Sequence, residues 1–598
     1  MRSVILSGLC ALMFDAAFAQ TVGQGNNYQD PSAPNYKAPV VPREQPPPSY
    51  QLPPAPDTGN EARTWGTVGQ MFVKRIEVRG VTAFRPAQIA AVTAPYQNRV
   101  VTSLELQSLR VALTRLYIDK GYINSGVVLP DQESKEGLVV YQAIEGTLTR
   151  VEVGGKAKLR PGYVAARIRA HIDNPLNVTQ LQYALRYLQQ DPNVARLDAA
   201  LGPGDEPGQS VLHLKVDEQP RFSAGVGVDN FQSSSIGATV GTVSFGARDL
   251  TGFGEEFRGS VGHSRGDTLG SAVATVPVNA RNGFVEAYFS RSSAAIIEKP
   301  FDQLNIKETT RTYGFNLTLP LVDRLEQRFA LFAGLESRRS YTELLGTPFS
   351  FSPGAQNGVA QVAVVLGGID WLLHGGSTVT DLRLTYRRGI DALGATINNP
   401  ATVNPIFNPN PTGADGRFGL EQLQFIHIVR LNGLHVFEHL NDRAQFLVRA
   451  SGQITQRPLL SLEKFTIGGV NTVRGFPENL LVRDNGFAAT IEVQLPLPGY
   501  RPQASPRNLV FAPFVDYGRS WDKVNTSPGN PLVNTNDPDY IAGAGLGLLW
   551  NPLRGLEARL YYGREIADQF HGNNPLHFVP HDLQFHGVHF SVNYQMSW

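Results

Sequence analysis

From Arg221 to Trp598 apolar and polar residues alternate with a period of two, and helical periodicity is absent. The final segment is the cleanest case: Val588, Phe590, Val592, Tyr594, Met596 and Trp598 interleave with His589, Ser591, Asn593, Gln595 and Ser597. Successive side chains of a strand point to opposite faces, so one face here is apolar and the other wet. The same division sets Leu382, Leu384 and Tyr386 against Asp381, Arg383, Thr385 and Arg387. It recurs in Phe446, Val448 and Ala450 against Gln445, Arg449 and Ser451, and in Leu556, Ala558, Leu560 and Tyr562 against Glu557 and Arg559. Arginine or lysine facing lipid at the bilayer midplane costs roughly 2–4 kcal/mol, so the charged face must line water. Past the N-terminal leader no run of about 18 apolar residues occurs, so any passage through a membrane is made by a closed barrel.

Strand patterns fall near residues 222, 236, 255, 269, 283, 311, 328, 359, 378, 419, 443, 486, 508, 540, 555 and 584, about sixteen in all, an even number as bacterial barrels have. Short connections rich in turn residues (249–254, 277–282, 320–323, 374–376, 496–506 and 551–552) alternate with longer ones at 292–309, 339–358, 389–417 and 520–539. Periplasmic turns are short and outer loops long, which places both termini inside.

Ahead of the alternating region the texture is mixed. Residues 73–79 read as a strand and 104–120 as a helix, with Leu106, Leu109, Leu113, Leu116 and Tyr117 on one stripe and Gly121 as its left-handed cap. Strand-like runs follow at 125–130 and 137–145. A second unit then repeats the order: a strand at 148–153, a helix at 161–172, and a helix at 180–190 with Thr179 as N-cap. Leu181, Ala184, Leu185 and Leu188 form its stripe, and strands at 194–201 and 211–216 close the unit.

Arg2, the apolar run from Val4 to Phe14 and Ala17-Phe18-Ala19 give the pattern of a secretory signal, so residues 1–19 are expected to be removed. The one cysteine, Cys10, lies within that signal, which excludes a disulfide framework. Residues 20–70, with Pro46-Pro47-Pro48 and Pro53-Pro54, read as an extended linker without helical period. Basic and acidic residues balance, 53 against 52, which argues against a nucleic-acid partner.

One charged residue stands among glycines and apolar neighbours in the long connection before residue 486: Arg474, in Ile467-Gly468-Gly469-Val470-Asn471-Thr472-Val473-Arg474-Gly475-Phe476. About forty residues on, Phe514, Asp516 and Gly518 share one face of a strand. Together, Val473-Arg474-Gly475-Phe476 and Phe514-x-Asp516-x-Gly518 resemble the paired signatures of the Omp85 superfamily, in particular the hemolysin-activator transporters of two-partner secretion. The two N-terminal units are similar to POTRA domains, with Gly121-Tyr122 in the first and Leu201-x-Pro203-Gly204 in the second.

The resemblance implies two α+β periplasmic domains, 71–147 and 148–219, followed by an all-β transmembrane barrel of about 16 antiparallel strands over 220–598. It implies that Arg474 meets Asp516 in the lumen as a lock, and that the aromatic Trp598 is a membrane-insertion signal. It places the chain in the cell outer membrane. Its partners would be a secreted, unfolded client protein of hemolysin or adhesin type, outer-membrane lipid, and the barrel assembly machinery during biogenesis. An insertase of the same superfamily is the alternative, and a passive porin would not need the POTRA-like units.

No enzyme chemistry or cofactor is expected. Gly262-His263-Ser264-Arg265-Gly266 fits the G-x-S-x-G elbow, but that motif works at a strand-to-helix turn and here it sits between strands. His571, His577, His581, His586 and His589 are irregularly spaced and read as a wet loop rather than a metal site.

Overall fold

The computed structural model describes residues 49–51, 69–132, 135–155, 158–352, 354–398, 413–431, 444–497, 508–523, 538–570, 576 and 581–598. The signal call at 1–19, most of the linker, His571 and His577 lie outside the described residues. The chain divides into two units, Arg221–Arg248 with Glu255–Trp598 and Glu44–Pro220 with Asp249–Gly254.

Within the second of these units, the N-terminal module opens on a strand that the sequence pattern ran together. Gln70–Val73 pairs antiparallel with Arg99–Thr102, whereas Arg75–Arg79 runs parallel to Leu138–Ile144, which in turn pairs with Gly126–Val128. The helix Ser103–Asp119 buries Leu106, Leu109, Leu113 and Tyr117 against Val73, Val101, Val139 and Tyr141, with Leu116 at the edge of the stripe. Its start is a capping box: the Thr102 side chain accepts from Glu105 N at 3.2 Å, and the Glu105 carboxylate accepts from Thr102 N at 2.7 Å. At the far end Gly121, at φ +89°, donates its N–H to the Ile118 carbonyl. A helix that the sequence pattern missed, Pro86–Thr93, precedes it.

The following module repeats the theme. Val178–Gln189 buries Leu181, Ala184, Leu185 and Leu188 against Leu197, Leu201, Leu212 and Leu214. Its N-cap is Asn177, whose side chain accepts from Thr179 N at 2.9 Å, so the cap lies two residues before the expected Thr179. The sheet order is Ser49–Gln51, Val194–Pro203, Gln209–Glu218, Thr147–Gly154. Its first strand comes from the stretch read as linker: Ser49 pairs with Asp198, Tyr50 with Ala199 and Gln51 with Ala200, in parallel.

The other unit is a closed antiparallel barrel of sixteen strands. The first, Phe222–Asp229, pairs with the last, Val588–Ser597, from Ser223↔Ser597 to Asp229↔Ser591. Closure satisfies every sheet edge, the condition for crossing lipid by strands. Alternation falls as the sequence requires: Val592, Tyr594, Met596 and Trp598 are outward and exposed, while His589 and Ser591 are buried inside. Trp598 exchanges backbone hydrogen bonds with Phe222 at 3.0 and 3.1 Å, at one end of the closing seam.

Two boundaries differ from expectation. The second strand begins at Val240 instead of near 236, because Ser234–Ile236 is a buried turn of 3-10 helix. The loops expected at 292–309 and 339–358 are shortened by strand at their edges: Phe284–Ala295 and Lys307–Asp323 leave 296–306 between them, and Gln327–Leu344 runs on into the second range. Ser264 makes no elbow: buried in the turn between Glu256–His263 and Asp267–Pro277, it donates to the Ile236 carbonyl and accepts from Asp267 N at 3.0 Å.

Candidate functional site

Between the strands Gln445–Thr455 and Asn485–Pro496 the chain makes the sixth connection on the side opposite the termini, here loop 6. The loop is inward and ordered. Ser461–Glu463 forms a turn of 3-10 helix, and Phe465–Ile467 pairs with Leu481–Arg483 as a small hairpin. Ile467, Val473, Phe476, Leu480 and Leu481 pack with Ile541 of the strand Asp539–Leu553, each no more than 2% exposed. Fully burying one such side chain is worth about 1.5–3 kcal/mol, so the loop is seated by packing as well as by charge.

Arg474, 2% exposed, is at the tip of this arrangement. Its Nε and Nη2 donate to the two oxygens of Asp516 at 2.8 and 2.9 Å, a bidentate fork, and its backbone N donates to Asp516 Oδ2 at 2.9 Å. Nη1 donates to Glu492 Oε2 at 2.5 Å. The guanidinium lies 3.5 Å from the ring centroid of Phe514 and 4.8 Å from that of Tyr561. Asp516 is fully buried and Glu492 4% exposed. One cation thus bridges two carboxylates from adjacent strands, an arrangement in which losing the cation leaves two buried anions.

The strand residues flanking Asp516 explain their own identity. A Cβ at Gly518 would lie 2.5 Å from Ile467 Cγ2 and 2.9 Å from Val473 Cγ2, so loop 6 needs the missing side chain there. Gly475 holds φ +96°, in the left-handed region, and a Cβ there would lie 3.0 Å from the backbone of Arg564 and 3.1 Å from that of Gly563. All of Val473, Arg474, Gly475, Phe476, Phe514, Asp516 and Gly518 therefore converge on one site, whereas Trp598 is elsewhere, at the seam.

Sequence reasoning missed several members. Glu492 carries no local signal. His589, expected in a wet loop, is fully buried on the last strand, its Nδ1 3.8 Å from Glu478 Oε1. A second cluster holds the beginning of loop 6 to the strands Gln327–Leu344 and Thr378–Ile390. Glu336 accepts from Arg387 at 2.7 Å, from Arg338 at 3.0 Å and from the Tyr288 hydroxyl at 2.6 Å. Glu463 lies 3.2 Å from Arg387 and 3.6 Å from Arg338. Arg338 also donates to the Leu462 carbonyl at 2.6 Å. Arg387, Arg338 and Glu463 line a lumenal cavity of about 150 Å³ together with Arg383, Arg449 and Lys464. Among the described residues no group of histidines and carboxylates is arranged to hold a metal.

A sealed sixteen-stranded barrel with an inward, charge-clamped loop, carried on a chain with α+β modules of POTRA type, defines an outer-membrane transporter of the Omp85 kind. The profile of the haemolysin secretion/activation proteins ShlB/FhaC/HecB matches residues 208–549, that of the ShlB-type POTRA domain matches residues 71–146, and the chain belongs to this family. Among relatives, the outer membrane transporter CdiB of Dickeya dadantii is 23% identical over 443 residues, 72% of this chain and 73% of that protein. The CdiB of Escherichia coli is 23% identical over 518 residues, 84% and 78%. The solved structure of CdiB from Escherichia coli superposes with a TM-score of 0.63 at 19% identity, covering 98% of this chain and 99% of the other, which is a likeness of fold. These relatives are outer-membrane transporters, the POTRA domains of the family are periplasmic, and the family is one of transporters rather than enzymes.

Proposed function

We propose that this protein captures one unfolded exoprotein of haemolysin or adhesin type in the periplasm and passes it through the barrel to the cell surface. Loop 6 is the resting plug and Arg474 the latch that holds it. The observation that carries this reading is the bidentate pairing of buried Arg474 with Asp516, backed by Glu492. A buried ion pair of this kind is a registry device more than a net stabiliser, and breaking it by removing one partner costs about 3–5 kcal/mol.

Client capture is assigned to the POTRA-type modules. An extended chain can join an exposed sheet edge through main-chain hydrogen bonds, with side-chain pockets adding specificity. The edge of Val194–Pro203 has this capacity in its own fold, since Ser49–Gln51 adds to it as a parallel strand. On the same reading residues 1–19 direct export, and Trp598 at the seam is what the assembly machinery recognises.

The test is secretion by cells carrying Arg474→Ala or Asp516→Ala. Loss of the client from the medium, with the variant barrel still heat-modifiable in the outer membrane, supports the latch; normal export by both rejects it. Deleting the protein distinguishes the alternative: a client stranded in the periplasm fits a secretion transporter, and a general loss of barrel proteins fits an insertase.

A further inference from the structure

Arg449 stands beside the latch, without a carboxylate partner among the described residues. It is directed into the lumen from the strand Gln445–Thr455 and lines the cavity beside loop 6. Among the described residues its hydrogen bond is a long one, Nη2 donating to Thr490 Oγ1 at 3.4 Å, and no carboxylate oxygen is within ion-pair distance of it. The register shows what it faces. Arg449 is directly opposite Thr490, and Thr490 is directly opposite Asp516, so the three form a row across adjacent strands on the lumenal face. Glu492 is two residues on from Thr490 and is the diagonal neighbour of Arg449. Diagonal pairs in an antiparallel sheet are about 7–8 Å apart, within reach of a long side chain. Asp516 is two strand spacings away, roughly 10 Å between backbones. The charges of Arg474, Asp516 and Glu492 all act on Arg449.

When loop 6 withdraws, Arg474 leaves with it. Asp516 and Glu492 remain on the wall, one fully and one almost fully buried in the closed form. Two neighbouring carboxylates without a cation repel each other and would draw the loop back at once. We propose that Arg449 is the replacement counter-ion of the open pore: it leaves Thr490, takes Glu492 and then Asp516, and so stabilises the state from which loop 6 has departed. The row Arg449, Thr490, Asp516 makes Thr490 the way station, a hydroxyl that accepts from Arg449 in the closed form. Arg449 is a positioning residue for transport, and it acts through the two latch carboxylates. This inference rests on the reading that loop 6 releases Arg474 when the pore opens.

The experiment is single-channel recording of the full-length protein in planar bilayers, comparing the unmodified chain with Arg449→Gln, Arg449→Lys and Arg474→Ala. Arg449→Gln is expected to shorten open dwell times at least about tenfold, the smallest factor that accompanies loss of a hydrogen bond to a charged group. Arg449→Lys should restore most of the lifetime, which a packing role would not predict. In a background carrying Asp516→Asn and Glu492→Gln the open state has no carboxylates to compensate, and adding Arg449→Gln should then change nothing. Open lifetimes in Arg449→Gln equal to those of the unmodified chain, with Arg474→Ala altered, overturn the counter-ion role and leave the latch standing. A persistent Arg449→Gln effect in the neutralised background overturns it too. Unaltered gating in Arg474→Ala rejects loop release itself, and the counter-ion role with it.

Discussion

Arg387 and Glu463 face each other at 3.2 Å, each 2% exposed, and join the strand Thr378–Ile390 to the start of loop 6. Loop 6 is therefore held at its tip by Arg474 and at its start by Glu463, besides the pairs Lys464–Asp522 at 2.8 Å and Arg483–Asp539 at 2.7 Å, and the tip and start clusters share no hydrogen-bond partner among the described residues.

The first prediction separates them. Glu463→Gln leaves Arg387 and Arg338 with Glu336 alone, at a cost of about 3–5 kcal/mol for breaking a buried pair, and should raise pore conductance and the rate of protease cleavage within loop 6. Independent anchors add, so Glu463→Gln with Arg474→Ala should equal the sum of the single effects within about 0.5 kcal/mol when cleavage rates are converted to free energies. A double variant no more open than either single variant would mean that the loop leaves as one body from one latch.

Gly518 gives the second. With Ile467 and Val473 carbons 2.5 and 2.9 Å from where its Cβ would stand, Gly518→Val should unseat the hairpin while leaving Arg474 and Asp516 chemically intact. Overpacking of this sort costs typically about 1–3 kcal/mol. Liposome-swelling rates should rise towards those of Arg474→Ala, and rates equal to the unmodified chain would show that loop 6 does not depend on this contact.

The barrel was legible because lipid on one face and water on the other impose a period of two, as in Val588–Ser597. The same physics explains where strand ends were misread. In the hairpin Lys307–Asp323 and Gln327–Leu344, residues such as Thr309, Thr310, Arg338, Arg339 and Ser340 are polar on both faces, so the alternation fades although the strands continue. Arg474 and Asp516 could be joined from sequence because each sits in a recognisable signature. Glu492, Glu336, Arg387 and Glu463 could not, since each is an isolated charge on an alternating strand or loop and only barrel closure brings them together. Asn177 was passed over for Thr179 because both are good caps and the apolar stripe does not say which carbonyl starts the helix.

The third prediction concerns acid. In the first POTRA-type module burial alone would push the Glu145 carboxyl up. Donors from the Thr82 hydroxyl, Ala83 N at 2.9 Å, Thr82 N at 2.7 Å and the Tyr117 hydroxyl at 2.8 Å outweigh burial and hold it below its ordinary value of 4.5. A depressed folded value contributes stability that is present above the ordinary value and is lost as pH falls through the folded one. Hydrogen exchange at Thr82 and Ala83 in the full-length protein should accelerate as pH drops below about 4.5, after correction for intrinsic rates. Glu145→Gln should remove that pH dependence, and an unchanged profile would show that another carboxyl controls the region.

The last prediction follows from Ser49–Gln51. Parallel pairing of Tyr50 with Ala199 places this chain's own backbone on an edge that an incoming client could use. The strand is three residues long and bounded by Pro48 on one side and Pro53 on the other, so its hold is set by few main-chain hydrogen bonds, each worth about 0.5–1.5 kcal/mol net. Proline lacks the backbone N–H, so Tyr50→Pro should weaken the resident strand without touching the sheet beneath it. If the client binds by strand addition at Val194–Pro203, Tyr50→Pro will tighten binding of a peptide from the client's N-terminal region by about 2- to 10-fold, measured by fluorescence anisotropy on the full-length protein. Placing a proline at Ala199 itself should then abolish binding at that edge in either background. Tighter binding in the first variant and loss in the second would make the resident strand a competitor for the client. Unchanged affinity in both would move client capture away from this edge, to the other modules or to the lumen.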